Sequence, residues 1–329
     1  MLVKDIYKVV EKDFDQVNQL IIEQLNSDVP MVEKIGHHII QSGGKRMRPL
    51  LVLLVSKALK NKDILTTENT NNHPLLACII EFLHTATLLH DDVVDTSDMR
   101  RGKATANAKF GNAPSVLVGD FLYSRAFQMM VDLGSLKVME ILSNATCVIA
   151  EGEVMQLMNV KNPDLTEEKY MDVIKGKTAM LFEASSHSGA ILANATKEQQ
   201  LALKDYGHHL GMAFQLVDDV LDYVGDADAL GKNVGDDLAE GKTTLPLIHA
   251  MKNGTKEQSS LIRQAIRKGG TENLSQIIGI VQQCGAIDYT NSKANDHVLQ
   301  AQQAISCLEE SPAKAALFAL AELAVARSH

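Results

Sequence analysis

Residues 75–95 read LLACIIEFLHTATLLHDDVVD, an almost unbroken apolar run that ends in three aspartates. A helix of this length with apolar side chains on all sides belongs inside a protein. Asp91, Asp92 and Asp95 would then stand at the C-terminal end of a buried helix.

Upstream of that run, Val3, Ile6, Val9, Val10, Phe14, Val17, Leu20 and Ile21 recur at helical spacing, which predicts an amphipathic helix over 3–25. A second helix is expected from about Val29 to Ile40, closed by Ser42-Gly43-Gly44, and a third after Pro49 to about Leu59. Residues 61–74 are polar and end in proline, a loop by composition. Downstream, helices are expected near 114–133, 136–159, 167–193 and 197–223. A loop rich in Gly and Asp over 224–244 precedes a helix from about Leu245 and further helices to Val325. No stretch alternates with period two between hairpin turns, so no strand is expected.

Composition agrees with an all-α fold. The 329 residues are 45% hydrophobic but only 4% aromatic, with no Trp and 7 Pro, so small and unbranched side chains fill the interior of long helices. No Pro- or Ser-rich linker divides the chain, which points to a single domain over residues 1–329. A net charge of −9 argues against a general nucleic-acid role, because backbone binding needs a basic surface. The longest strongly apolar stretch, Leu50 to Val55, is far short of the ~20 residues of a membrane span. The N-terminal MLVKDIYKVVEKDFD lacks the apolar core of a signal peptide, so a soluble, cytoplasmic protein is expected. Cys78, Cys147, Cys284 and Cys307 form no CxxC pair and are expected as small buried residues in a reducing compartment.

The acidic ending is duplicated. LLHDDVVD at 88–95 and QLVDDVLD at 215–222 share the spacing Asp, Asp, two apolar, Asp, each after buried-type sequence. Positions i and i+4 share a helix face, so Asp91 projects with Asp95 and Asp218 with Asp222, while Asp92 and Asp219 stand beside them. Such carboxylates repel by roughly 0.2–0.5 kcal/mol per exposed pair, and the negative end of the helix dipole adds to the penalty. Cations between them resolve the conflict. Magnesium fits, since it takes oxygen ligands, keeps several waters and bridges one or two carboxylates to phosphates. Neither segment has the glycine and glutamate pattern of an EF-hand, and zinc lacks its Cys/His cluster.

Basic residues coupled to glycine or a small hydroxyl recur in GGKRMRP (43–49), MRRGK (99–103), GKT (176–178), Gly231-Lys232 and GKT (241–243). Glycine lets a backbone approach phosphate, and Arg grips its oxygens in a fork. GGKRMRP is no Walker A loop, so ATP is not indicated. Spread around two acid clusters, the set suggests two anionic groups, one held through magnesium and one by side chains alone.

GGKRMRP, FLHTATLLHDDVVDTSDMRRG, GKTAMLF and FQLVDDVLDYVGDADALGKNVGDDLAEGKTTLPL, in this order, resemble the trans-polyprenyl diphosphate synthases over essentially the whole chain. The resemblance implies an all-α fold around an apolar cavity, a homodimer, and three magnesium ions held by Asp91, Asp92, Asp95, Asp218, Asp219 and Asp222. It further implies that Arg100, Lys177, Thr178, Gln215, Lys232 and Lys242 hold an allylic diphosphate such as farnesyl diphosphate. Lys45, Arg48, His84 and Arg101 match positions that bind isopentenyl diphosphate. No motif departs from the active pattern.

The implied reaction ionises a carbon–oxygen bond: cations stabilise the departing pyrophosphate, and the double bond of isopentenyl diphosphate attacks the allylic cation in a site kept dry by apolar helices. His90, beside the acids, is read as structural. Each isoprene unit, about 5 Å long, passes about one helical turn of ~5.4 Å. Leu83, Ala86 and Thr87, just above Asp91, therefore govern chain length. The small side chains Ala86 and Thr87 imply an open tunnel and a long product, near C40 by resemblance and destined for a quinone side chain. Met129, Met130, Met155 and Met158 are candidates for the tunnel floor, with core filling as the plainer role. Rival readings are a product of C20–C35, a regulatory subunit of a heteromeric synthase, a terpene cyclase and an acidic metal scaffold. The cyclase needs no isopentenyl site, and the subunit would be expected to lose a motif that this chain keeps.

Overall fold

A computed structural model describes residues 1–59, 72–224 and 234–326. The described chain is helical, and its contacts fall into two compact units. One comprises Met1–Thr146, Leu181–Gly207 and Ala304–Leu320; the other comprises Cys147–Met180, His208–Gln303 and Ala321–His329.

The first unit is organised by the helix that the sequence singles out. This helix, α5 (Asn72–Val94), follows α1 (Val3–Lys8), α2 (Glu11–Gln24), α3 (Pro30–Gln41) and α4 (Met47–Leu59). It packs against α2, α4 and a later helix, α7 (Asn112–Leu133), and buries Leu76, Ile79, Ile80, Phe82, Leu83 and Leu89. The helix expected over 3–25 is two helices, because the chain breaks at Val9-Val10, where Val10 leaves helical geometry at φ −126°. Helix α4 begins at Met47 rather than after Pro49; a proline in the first turn has no intrahelical hydrogen bond to lose. Between α3 and α4, Gly43 and Gly44 take φ +81° and +142° and Arg46 takes φ +41°, so three of the five residues of the basic loop have positive φ.

Two strands of two residues, β1 (Met99–Arg100) and β2 (Lys103–Ala104), correct the expectation of none. Arg101 and Gly102 both have positive φ, the geometry of a type I′ hairpin turn, and the ladder is too short to leave an alternating pattern in the sequence. Lys103 Nζ donates to the Gln41 carbonyl at 2.7 Å, and the His38 ring lies 2.8 Å from the Ala104 carbonyl, tying the hairpin to the end of α3. Short helix α6 (Ala106–Phe110) leads into α7, and α8 (Leu136–Met158) follows.

The second unit holds α9 (Glu167–Ile174), the end of α11 (Lys197–Val224), α12 (Asp236–Ala239), α13 (Leu245–Asn253), α14 (Lys256–Lys268), α15 (Leu274–Gln283) and most of α16 (Ala286–Ala304). Its two cores gather around Leu247, Ile262, Ile266 and Ile277, and around Tyr170, Leu216, Val217 and Leu245. The helix expected over 167–193 is interrupted: α9 passes through a π-turn, Lys175–Ala179, into α10 (Met180–Leu192). The last helix is α17 (Pro312–Val325), and no helix among the described residues is long and apolar enough to cross a membrane. Cys78 is buried, but Cys147 and Cys307 are exposed, which corrects the expectation of four buried thiols.

Candidate active site

The first aspartate motif occupies the last turn of α5, as its position after an apolar run requires. Asp95 lies one residue beyond the helix, with its N–H donating to the Asp91 carbonyl at 2.8 Å. The three acids are not equivalent. Asp92 is 1% exposed, and its Oδ1 accepts both Nε and Nη2 of Arg100, at 2.9 and 2.7 Å. Its Oδ2 is buried without a hydrogen bond. Asp91 and Asp95 are partly exposed on the shared i, i+4 face. Among the described residues no three His, Cys, Asp or Glu side chains converge on one point. Magnesium needs no such cage: one or two hard carboxylates suffice when water and phosphate complete its shell, and Asp91 and Asp95 are donors of that type. His90 lies 3.2 Å from the Val116 carbonyl and 3.4 Å from Asp120, contacts that anchor α5 to α7.

In the same unit the basic loop, α5 and the hairpin meet. Arg48 Nη1 donates to His84 Nε2 at 3.2 Å and its guanidinium stacks 4.2 Å from the Phe182 ring. Arg101 lies so close to Gly44 that a Cβ there would meet Nη1 at 2.3 Å. Burial, then Arg48, Arg101 and Arg100, push the His84 ring well below its ordinary pKa. His84 is therefore neutral and accepts from Arg48. Arg48, His84 and Arg101 thus form one cationic cluster, with Lys45 on the loop beside it.

The second motif lies near the end of α11, in the other unit. Asp219, 3% exposed, accepts the Tyr170 hydroxyl at 2.5 Å on Oδ2 and the Gln215 amide at 2.7 Å on Oδ1. Gln215 in turn accepts the Thr178 hydroxyl at 2.7 Å. Burial, followed by the charges of Asp237 and Asp218, raises the Asp219 carboxyl to about 7, against the pull of its two donors. Asp222 is 0% exposed; its Oδ2 accepts the N–H of Asp237 at 3.2 Å and its carbonyl that of Gly235 at 2.9 Å. Asp218 remains partly exposed. Lys177, on the π-turn, pairs with Glu153 at 2.7 Å, and Lys242 with Glu240 at 2.5 Å. A pocket of about 120 Å³ is lined by Lys177, Thr178, Gln215, Asp219, Asp237 and Lys242, among others. Five of the predicted residues therefore share one recess. Lys232 lies outside the described residues.

Of the chain-length positions, Leu83 and Ala86 are buried, and Thr87 donates its hydroxyl to the His84 carbonyl at 2.8 Å. Met129 and Met130 are buried core residues, whereas Met158 is 78% exposed, so core filling does not describe it.

Tyr170, Glu153, Arg46 and Glu81 were not singled out from the sequence. Tyr170 carries no local signal, because it meets Asp219 from 49 residues upstream. Glu81 carries one: it is the sole acid in the run from Leu75 to His90.

The sequence profile described as polyprenyl synthetase matches residues 29–282. The octaprenyl diphosphate synthase of Escherichia coli K12 is 53% identical over 99% of both chains. The geranyl-diphosphate-specific all-trans-nonaprenyl-diphosphate synthase of Rhodobacter capsulatus is 47% identical over 98% of each. A crystal structure of a polyprenyl synthase from Caulobacter crescentus CB15, complexed with calcium and isoprenyl diphosphate, superposes with a TM-score of 0.94. That protein is 41% identical, and the match covers 100% of this chain and 98% of the other.

Proposed function

We propose, for a chain that belongs to the polyprenyl synthetase family, the head-to-tail condensation of isopentenyl diphosphate with an allylic diphosphate to give a long all-trans chain, octaprenyl diphosphate. The chain is a prenyltransferase. The observation that carries the two-substrate reading is the cluster of Arg48, His84 and Arg101, a diphosphate site built without carboxylate ligands. An enzyme that only ionised one substrate would have no use for it.

Magnesium, three ions by family likeness, would be held by Asp91 and Asp95 of the first motif and by Asp218 of the second, with Asp92, Asp219 and Asp222 fixing those groups from behind. The bound metal supplies positive charge to the leaving pyrophosphate. Lys177, Thr178, Gln215 and Lys242, with Lys232, orient the allylic diphosphate, and Arg100 shares that role through its grip on Asp92. Lys45, Arg48, His84 and Arg101 hold isopentenyl diphosphate so that its double bond meets the allylic carbon. The carbon–oxygen bond of the allylic diphosphate ionises, the double bond of isopentenyl diphosphate attacks the resulting allylic cation to form the new carbon–carbon bond, and a proton then leaves to pyrophosphate. No side chain need form a covalent bond.

The whole chain is read as one domain, since α8, α11 and α17 each divide their residues between the two units. A homodimer is supported by exposed Leu117, Phe127 and Val131 along α7, apolar surface that water would otherwise cover. A cytoplasmic location and a quinone as the acceptor of the product follow the family.

The test incubates purified protein with magnesium, isopentenyl diphosphate and either farnesyl or geranyl diphosphate, then sizes the dephosphorylated products by chromatography. A product at C40 is expected, and it disappears with EDTA. Products that stop at C20–C35 would replace the octaprenyl assignment, and no product from either primer would overturn the reaction.

A further inference from the structure

Glu81 lies in the middle of α5, 8% exposed, one turn before His84. Its Oε1 is 3.8 Å from Arg46 Nε, and its Oε2 is buried without a hydrogen bond. A buried carboxylate with an unmade hydrogen bond is costly, and here its neighbours are cations. Burial raises its carboxyl above the ordinary range while Arg46, Arg48 and Arg101 pull it down.

Arg46 is the one non-glycine residue of the loop with a positive φ. Its backbone is left-handed at φ +41°, its side chain is 21% exposed, and Nη1 donates to Asn18 Oδ1 from α2. The preceding carbonyl, that of Lys45, accepts the Tyr7 hydroxyl from α1. Residues 45–46 are therefore held by three anchors, Tyr7, Asn18 and Glu81, at the bend that launches α4 and Arg48. A carboxylate cannot favourably touch a diphosphate, so any influence of Glu81 on that ligand must pass through the cations it holds.

We propose that Glu81 is a positioning residue for isopentenyl diphosphate: by gripping Arg46 it fixes the bend from which Lys45 and Arg48 reach the ligand, and it keeps the guanidinium cluster together while the site is empty. This rests on the assignment of that site to Lys45, Arg48, His84 and Arg101. The electrostatic sign separates positioning from charge alone. Removing a negative charge beside an anion site should tighten anion binding by Coulomb's law, so weaker binding in Glu81→Gln can come only from lost positioning.

The full-length enzyme is assayed with isopentenyl diphosphate varied at saturating farnesyl diphosphate, and the reverse. Glu81→Gln is expected to raise KM for isopentenyl diphosphate about tenfold while KM for farnesyl diphosphate stays within about twofold, the scale expected when a binding group is displaced by a fraction of an ångström. An unchanged or lower KM for isopentenyl diphosphate overturns the proposal. Asn18→Ala removes the other anchor of Arg46 and leaves the buried charge in place, so it carries the test if Glu81→Gln does not fold. It should raise the same KM, and the double variant should fall short of the product of the two effects; full multiplicativity would show that they do not act through one residue. Arg48→Ala is the control. If it leaves KM for isopentenyl diphosphate unmoved, the site assignment itself fails; if it raises KM and Glu81→Gln does not, only the positioning role fails.

Discussion

Gly152→Ala tests how the second unit presents Lys177. Gly152 is buried in α8 where the π-turn crosses it, and a Cβ there would lie 2.6 Å from Lys177 N and 2.9 Å from Gly176 C. Ordinary contact begins near 3.4 Å, and both obstacles are backbone, so the turn must retreat by about 0.8 Å. Overpacking of this kind costs about 1–3 kcal/mol, and replacing a helical glycine by alanine returns about 1 kcal/mol. For a chain of this size the net loss lowers Tm by only a few degrees, roughly 2–4 °C per kcal/mol. Catalysis is less forgiving, because displacing a binding group by about 1 Å can cost about a hundredfold. The expected variant is folded, melts slightly early, and loses about 10- to 100-fold in kcat/KM for the allylic diphosphate. Thermal melts and steady-state kinetics on the same preparation read both numbers. A variant within about twofold of the parent in kcat/KM would show that the crossing does not set the position of Lys177 and Thr178.

Three further outcomes are expected. Ala86→Phe places an aromatic ring at a buried position five residues before Asp91, and products sized after labelling with isopentenyl diphosphate should shorten; an unchanged length in a folded variant would refute the tunnel reading. Arg100→Leu strips the partner from buried Asp92 and should cost about 3–5 kcal/mol in denaturant melts, with Asp92→Asn in the same background recovering more than half; no destabilisation would mean the pair is not structural. His209 Nδ1 and His297 Nδ1 are 2.8 Å apart, so one ring must donate and the other accept. Burial, then His209 and His208, lower His297 to about 4. The unfolded chain therefore binds the extra proton between pH 6.5 and about 4, and stability falls as pH drops through that window, by about 1–2 kcal/mol after allowance for solvent screening. His297→Asn should flatten the slope, and an equal slope in parent and variant would refute the assignment.

The elements that could be read in advance are those whose signal is local. An apolar run has only one place to go, and α5 starts and stops within a few residues of where its composition places it. The π-turn at Lys175–Ala179 left no such mark, because its cause is a neighbour distant in sequence: Gly152 admits the backbone of Gly176 and Lys177. The hairpin at 99–104 is held by Gln41 and by the His38 ring rather than by any pattern of its own. At the site the residue types were legible and their partners were not. Nothing in QLVDDVLD says that Asp219 will be met by a tyrosine 49 residues upstream.

The partners also explain why the motif has the spacing it has. On a helix, adjacent residues diverge by about 100°, so two consecutive aspartates cannot face one ligand, whereas i and i+4 can. In α5 the second aspartate turns inward, where Arg100 neutralises it, and the pair Asp91 and Asp95 stays partly exposed. In α11 the second aspartate again turns inward, onto Tyr170 and Gln215, but the third is drawn in as well by the N–H of Asp237, which leaves Asp218. The same five-residue spacing therefore presents two outward carboxylates in one motif and one in the other. The inward aspartates supply the rigidity: each is tied to a neighbouring element, so the partly exposed carboxylates of its motif stand on a turn that those ties hold fixed.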